Sequence, residues 1–258
     1  MRWVCSVIIG FLLSSSVSAS EPEPLIIATG EFAPYTSSKI DTGGFLVEIT
    51  MRAFELAGVD ANEIYLPWAR GFLGVQKLHF DATFPYIKTP ERELTFLFSE
   101  PLFPMTVTVF VREEDAHLFH HPEDFIGHSW CLPRTYSASF LTPYIKKGLM
   151  TLIRSSDDKA CMEMVSKGRV TAYAMDALFG EQLIKVHPKL FEGISRLDWA
   201  VVKNTYHLLM SKNHARVKEV LAAFDKGLAT LKASPEWQDI LQRHGIDDAP
   251  IELSVNPF

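Results

Sequence analysis

Cysteine is scarce in this chain, three among 258 residues. Cys5 falls inside an N-terminal apolar run, which leaves Cys131 and Cys161 as the only candidates for a bond. Clusters of Lys and Arg are also missing. Twenty-five basic residues stand against 31 acidic ones, a net charge of -6, and without a basic patch to meet phosphates the chain is not a nucleic-acid binder. No apolar run reaches the ~20 residues that a membrane span requires. There is no G-x-S-x-G elbow, no phosphate loop and no H-E-x-x-H pair, so the common signatures of hydrolases, nucleotide enzymes and metalloproteases are excluded. Neither a fixed-period repeat nor a low-complexity tract interrupts the sequence.

What is present begins with an export signal. Met1-Arg2-Trp3 is a short basic start, Val4 to Leu13 is apolar, and Val17-Ser18-Ala19 offers small residues in a cleavage pattern. Cys5 lies too early to be a lipidation site. Residues 1–19 are therefore assigned to a signal peptide, with the mature chain starting near Ser20 in the periplasm. The remainder, 47% apolar over the whole chain, is long enough to bury a real core. In an oxidising compartment Cys131 and Cys161 either pair or sit as two separately buried thiols.

From Leu25 onward strand and helix signals alternate, the pattern of an α/β protein with mostly parallel strands. "LIIATG", "EIYLPW" and "DATFPY" read as strands, with Trp68 closing the second. "FLVEITMRAFELAG" and "ARGFLGVQKLHF" read as amphipathic helices. "LTFLFSEPLF" and "MTVTVFVREE" are extended and rich in β-branched and aromatic residues. A second, smaller α/β unit follows: "SWCL", "LMTLIRS" and "VTAYAMD" as strands, with a helix over "DDKACMEMVSKG" opened by Ser and Asp. "LDWAVVKNTYHLLMSKN" is again long and extended. The end is helical, with Val217, Leu221, Phe224 and Leu228 on one stripe and a last helix from Ser234 as N-cap and Pro235 at the first position. The tail from Asp247 to Phe258 has no pattern. His117, His120, His121 and His128 cluster, but Pro122 interrupts them, so they are read as solvated and no metal or other cofactor is expected.

The order of the fragments "GEFAPY", "GGFLVEITMRAFELAG", "LPWARGFLGVQKLHFDATFPYIKTPERELTFLFSEPL", "KGRVTAYAMD" and "SPEWQDILQRHG" resembles the family 3 extracellular solute-binding proteins, the amino-acid-type periplasmic proteins of ABC importers. The resemblance implies a two-lobed type II periplasmic binding fold with two hinge strands and a ligand cleft. Lobe one is expected over residues 20–109 and 206–258, and lobe two over 110–205. It also implies that Arg92, in the turn Thr89-Pro90-Glu91-Arg92, holds a ligand carboxylate through its rigid fork, and that Asp176 receives a ligand amine. Independently, an Arg in such a turn can pair with a surface Glu, and an Asp before a helix can serve as its N-cap.

In open α/β sheets ligands sit beyond the carboxyl ends of the strands. Phe32, Trp68, Tyr86 and Tyr136 fall on the loops there and are candidates to stack on the ligand. Glu31, Arg70, Thr135 and Ser137 complete the candidate set. The sequence departs from the family at Phe84-Pro85-Tyr86-Ile87 and at Pro133-Arg134-Thr135-Tyr136-Ser137, with fewer hydroxyls and more aromatic bulk, which points to an aromatic or non-standard ligand. The partners implied are a small ligand and either an ABC permease or a membrane sensor, for a monomeric chain. Catalysis, as in the few dehydratases on this fold, is the rival class, with Glu31 as its conceivable acid.

Overall fold

The computed structural model describes residues 23–134, 136, 138–246 and 254–255. The segment assigned to export, most of the tail after Ile246, and both Thr135 and Ser137 lie outside the described residues. Strands and helices alternate as β1 (Leu25–Thr29), α1 (Phe45–Leu56), β2 (Ala61–Tyr65), α2 (Trp68–Gln76), β3 (Ala82–Ile87), the single turn α3 (Pro90–Glu93), β4 (Phe96–Phe98) and β5 (Phe103–Arg112). There follow β6 (Ser129–Pro133), α4 (Thr142–Lys146), β7 (Thr151–Ser155), α5 (Asp158–Ser166), β8 (Ala172–Asp176) and α6 (Ala177–Val186). The chain closes with β9 (Ile194–Ser211), α7 (Val217–Lys232), α8 (Pro235–Arg243) and the two-residue β10 (Ser254–Val255).

One mixed sheet runs in the order β2-β1-β3-β9-β5-β8-β6-β7, with β4 and β10 also paired to β9. The parallel trio β2-β1-β3 and the parallel trio β8-β6-β7 flank the long antiparallel pair β5 and β9. That pair belongs to both lobes, because the buried side chains divide into two main cores. One gathers Ile27, Phe45, Phe54, Phe84, Met105, Tyr206 and Phe224. The other gathers Val109, Phe110, Trp130, Cys131, Cys161, Tyr173 and Trp199. Val107 packs against both, so the hand-over occurs inside β5.

Each core is formed by the stripes the sequence carries. Val217, Leu221, Phe224 and Leu228 of α7 are all buried in the first core, and Phe224 meets Phe54 of α1 at 4.7 Å between ring centroids. The two helices touch closely at Gly227, where an added Cβ would stand 2.0 Å from the carbonyl oxygen of Ala53. In the second core Asp157 caps α5, accepting from the Ala160 N–H at 2.8 Å. The charge of Asp157 at that end complements the helix dipole.

Two local readings are corrected and a third is refined. Trp68 does not end the second strand but opens α2, since Pro67 has no N–H to offer the ladder and β2 stops at Tyr65. The extended stretch "LTFLFSEPLF" holds only a three-residue strand, β4, before Ser99-Glu100-Pro101 breaks it. Ser234 occupies the N-cap of α8 without capping it; its hydroxyl donates back to the Leu231 carbonyl at 2.8 Å.

Cys131 on β6 and Cys161 on α5 are joined by a disulfide, with Cα atoms 5.4 Å apart and a sequence separation of 30. Closing a loop of that length restricts the unfolded chain by about 3.6 kcal/mol. The Cys131→Ala/Cys161→Ala protein is therefore expected to lose about that much stability in urea unfolding, with the m-value showing whether the denatured ensemble has expanded.

Candidate functional site

The strand register decides where the two lobes meet. Ile87, the last residue of β3, pairs with Tyr206, and Tyr206 pairs in turn with Phe103 at the start of β5. Asp176, the last residue of β8, pairs with Val107 further along β5. Since β3 runs with β5 and β8 runs against it, the carboxyl ends of β3 and β8 point at each other. Along the strand direction they are offset by four residues of extended chain, roughly 13 Å at ~3.3 Å per residue, with β9 and β5 lying between the two strands.

On the first lobe, Arg92 follows the end of β3. Thr89 caps α3 and accepts from the Arg92 N–H at 3.3 Å, which fixes the stem. The guanidinium donates to the Ile87 carbonyl at 2.7 Å and lies 5.0 Å from the Tyr86 ring centroid and 5.9 Å from that of Phe72. Among the described residues no carboxylate comes within ion-pair distance of it. Burial lowers its pKa from the usual arginine value, which leaves it charged at any working pH. Tyr86, mostly buried, is pushed up to about 12 and stays a neutral aromatic face for the cation.

Trp68 stands beside Tyr86, edge to face at 5.8 Å, and the Tyr86 hydroxyl reaches the Trp68 carbonyl at 3.4 Å. Its indole lies against Gly30 at the end of β1, where an added Cβ would be 2.6 Å from Cε2. Glycine is required at that point for lack of space. Arg70, two residues into α2 from Trp68, is exposed.

Glu31 is engaged within its own loop, accepting from the hydroxyls of Ser37 (2.7 Å) and Ser38 and from the Ser38 N–H at 3.0 Å. Desolvation raises its pKa, but the bonds from Ser38 and Ser37 outweigh it and the net shift is downward. A carboxyl held ionised in this way is a poor general acid. The histidines are likewise unassembled: among the described residues no group of three His, Cys, Asp or Glu is placed to hold a metal.

On the second lobe, Asp176 both ends β8 and caps α6, accepting from the Phe179 N–H at 2.9 Å. Its Oδ1 also accepts from the Tyr35 hydroxyl at 2.7 Å. Tyr35 and Asp176 are both buried, at 1% and 7% exposure. No cation among the described residues faces the carboxylate. Burial raises its pKa from 3.8 to about 6 against the opposing bonds from the Phe179 N–H and Tyr35. Phe32 meets Phe179 across the seam at 5.0 Å and stacks on Tyr35 at 4.9 Å, while Tyr206 sits edge-on to Tyr35 at 5.2 Å.

Tyr136 is half-buried in the loop after β6, where burial and the charge of Asp158 raise its pKa. The same Asp158 accepts from the buried Tyr173 hydroxyl. Tyr35, Tyr206, Phe179 and Asp158 were not among the expected site residues. Tyr35 was within reach, as the last letter of "GEFAPY"; Tyr206 and Phe179 carry no local signal, because only the pairing of β9 and the start of α6 bring them to the seam.

The chain matches the sequence model of the bacterial extracellular solute-binding proteins, family 3, over residues 25–246. No curated protein matches it in sequence. Among solved structures, it is similar to the GluR0 ligand-binding core of Nostoc punctiforme in complex with L-glutamate, at TM-score 0.68 and 16% identity, covering 87% of this chain and 100% of that one. It is similar also to a histidine kinase sensor domain with similarity to periplasmic binding proteins (TM-score 0.68, 19% identity, 86% and 96% covered). A third is substrate-binding domain 2 of Lactococcus lactis GlnP in its open conformation (TM-score 0.65, 20% identity, 89% and 98% covered). At these identities the likeness establishes the fold, two α/β lobes of the type II periplasmic binding kind.

A carboxylate buried without a cation weakens the fold wherever it must ionise. With a native pKa near 6 and an ordinary value of 3.8, the penalty is absent below about pH 4, grows as pH rises to 6, and is constant above that. Asp176→Asn keeps an N-cap and removes the charge. It is expected to raise stability by about 3 kcal/mol at pH 7 and to leave it unchanged at pH 3.5. Urea midpoints at the two pH values check this.

Proposed function

The chain belongs to the bacterial extracellular solute-binding proteins, family 3, and from that premise we propose that it binds a small zwitterion, an amino acid or aromatic relative of one, between its lobes for ABC-type import. The observation that carries this reading is Arg92. Its fork is stacked on Tyr86 and Phe72, anchored by one bond to Ile87, and left with donors to spare at the end of β3. A carboxylate takes two parallel bonds from such a fork. Asp176, at the facing end of β8, supplies the anionic counterpart for an ammonium group.

Two charge-assisted contacts at about 1.5–3 kcal/mol each, with an aromatic wall from Trp68 and Phe32, suffice for micromolar affinity, about -8 kcal/mol. The loop Phe84-Pro85-Tyr86-Ile87 spends its side chains on packing and on supporting Arg92. Few hydroxyls remain for a polar ligand side chain, which favours an apolar or aromatic one. Export through residues 1–19 places the mature, monomeric chain in the periplasm, with a permease as its partner.

A second reading is sensing, with a membrane receptor in place of the permease. It is favoured by the likeness to a histidine kinase sensor domain. The cleft serves either role, since both begin with closure on the solute.

The test is a thermal-shift screen of refolded, ligand-stripped protein against amino acids, amines and organic acids. A true ligand at 100 times its Kd adds about 2.7 kcal/mol. Arg92→Gln is expected to weaken the best hit ~10- to 150-fold, the loss of one charged contact, in isothermal titration. A panel without a hit, or a hit that Arg92→Gln leaves unchanged, removes this reading, and conversion of the hit to a product would make the protein an enzyme.

A further inference from the structure

The seam between the lobes is already bonded shut by the protein's own groups. The Tyr35 ring belongs to the core of the first lobe, and only its hydroxyl extends across to Asp176 at 2.7 Å. Phe32 reaches over with it and meets Phe179. With the Phe179 N–H on the other side, Asp176 is satisfied by hydrogen bonds from the protein itself. A residue whose ring is buried behind the wall has no packing need for a hydroxyl at its tip. Without a partner that hydroxyl would be a buried donor lacking an acceptor.

We propose that Tyr35 is a built-in clasp, its phenol holding the two lobes together by occupying the carboxylate that a cationic ligand group must take, and that burial of the same carboxylate makes closure respond to pH. The inference concerns the protein without ligand and so stands apart from the identity of the solute. It requires only that the two lobes separate.

The groups facing Asp176 are Tyr35 from the loop after β1, Tyr206 from β9, Tyr136 from the loop after β6, and Glu181 from α6. The three phenols are pushed upward by burial and stay neutral over the working range. Glu181 is held by Arg196 at 2.7 Å. Asp176 is thus the group that titrates at the seam near pH 6. Shut, it is buried and its pKa lies near 6; opened, it is wetted and returns toward its ordinary 3.8. The closed form therefore binds the extra proton between those values, so closure is favoured at acid pH and loses that advantage as pH rises through 6. As the neutral acid, Asp176 keeps its carbonyl oxygen available to the Tyr35 hydroxyl.

Small-angle scattering of refolded, ligand-stripped protein at pH 5 and pH 8 tests the clasp. The parent is expected to be compact at pH 5 and to show a larger radius of gyration at pH 8. Tyr35→Phe, which keeps the ring and removes the hydroxyl, is expected to be expanded at both. Asp176→Asn, neutral throughout and still able to accept the phenol, is expected to be compact at both. The proposal is overturned if Tyr35→Phe is as compact as the parent at pH 5, if the parent has one radius at both pH values, or if Asp176→Asn still follows pH. None of these results bears on the ligand screen, so failure here and failure of the binding reading are separable.

Discussion

Two charges of opposite sign, each without a counter-charge among the described residues, are the constraint around which this molecule is arranged. Arg92 has aromatic faces and a carbonyl where a carboxylate would be expected, and Asp176 has a phenol and a helix N-terminus where a cation would be expected. Desolvating either without a counter-charge is unfavourable. A fold under selection for stability alone would replace both with apolar residues of similar size. Their placement at the facing ends of β3 and β8 is the physical basis of the zwitterion reading proposed above.

The rest of the architecture serves to aim these groups. Parallel strands in each lobe present their carboxyl ends on one side, and the antiparallel crossing of β5 and β9 turns the two lobes so that those ends confront one another. The crossing strands are short of side chains that tie one core to the other, Val107 being shared between them. That economy suits a hinge, because each core stays intact while the connecting strands bend. Gly30 and Gly227 do the complementary work inside the first lobe, letting Trp68 and the α1–α7 pair approach to distances that any side chain would block.

The aromatic content of the seam has two consequences that pull against each other. Phe32, Tyr35, Tyr206 and Phe179 make a dry surface on which charges interact strongly. The same surface packs on itself across the seam, so that anything entering between the lobes must part these rings. A conformation that hides the binding-competent state lowers apparent affinity by the fraction hidden, so affinity and residence in the shut state are set by the same few rings.

Much of this was legible before any coordinates. The alternation of strand and helix, the two long extended segments and the apolar stripe of α7 are local patterns, written in residues a few positions apart, and they carried the α/β class, whereas the two candidate anchors came through the family resemblance of the Thr89–Arg92 turn and the end of "KGRVTAYAMD". Where the reading slipped, at Trp68, the cause was a choice between adjacent positions that Pro67 and backbone geometry decide. The bond from Tyr35 to Asp176 spans 141 positions, and Phe179, Tyr206 and Asp158 enter the seam through pairing register and helix direction. Periodicity records which face of an element is buried, but not which other face it will meet. Contacts between lobes therefore came only from the tertiary structure, where strand register and desolvation act together.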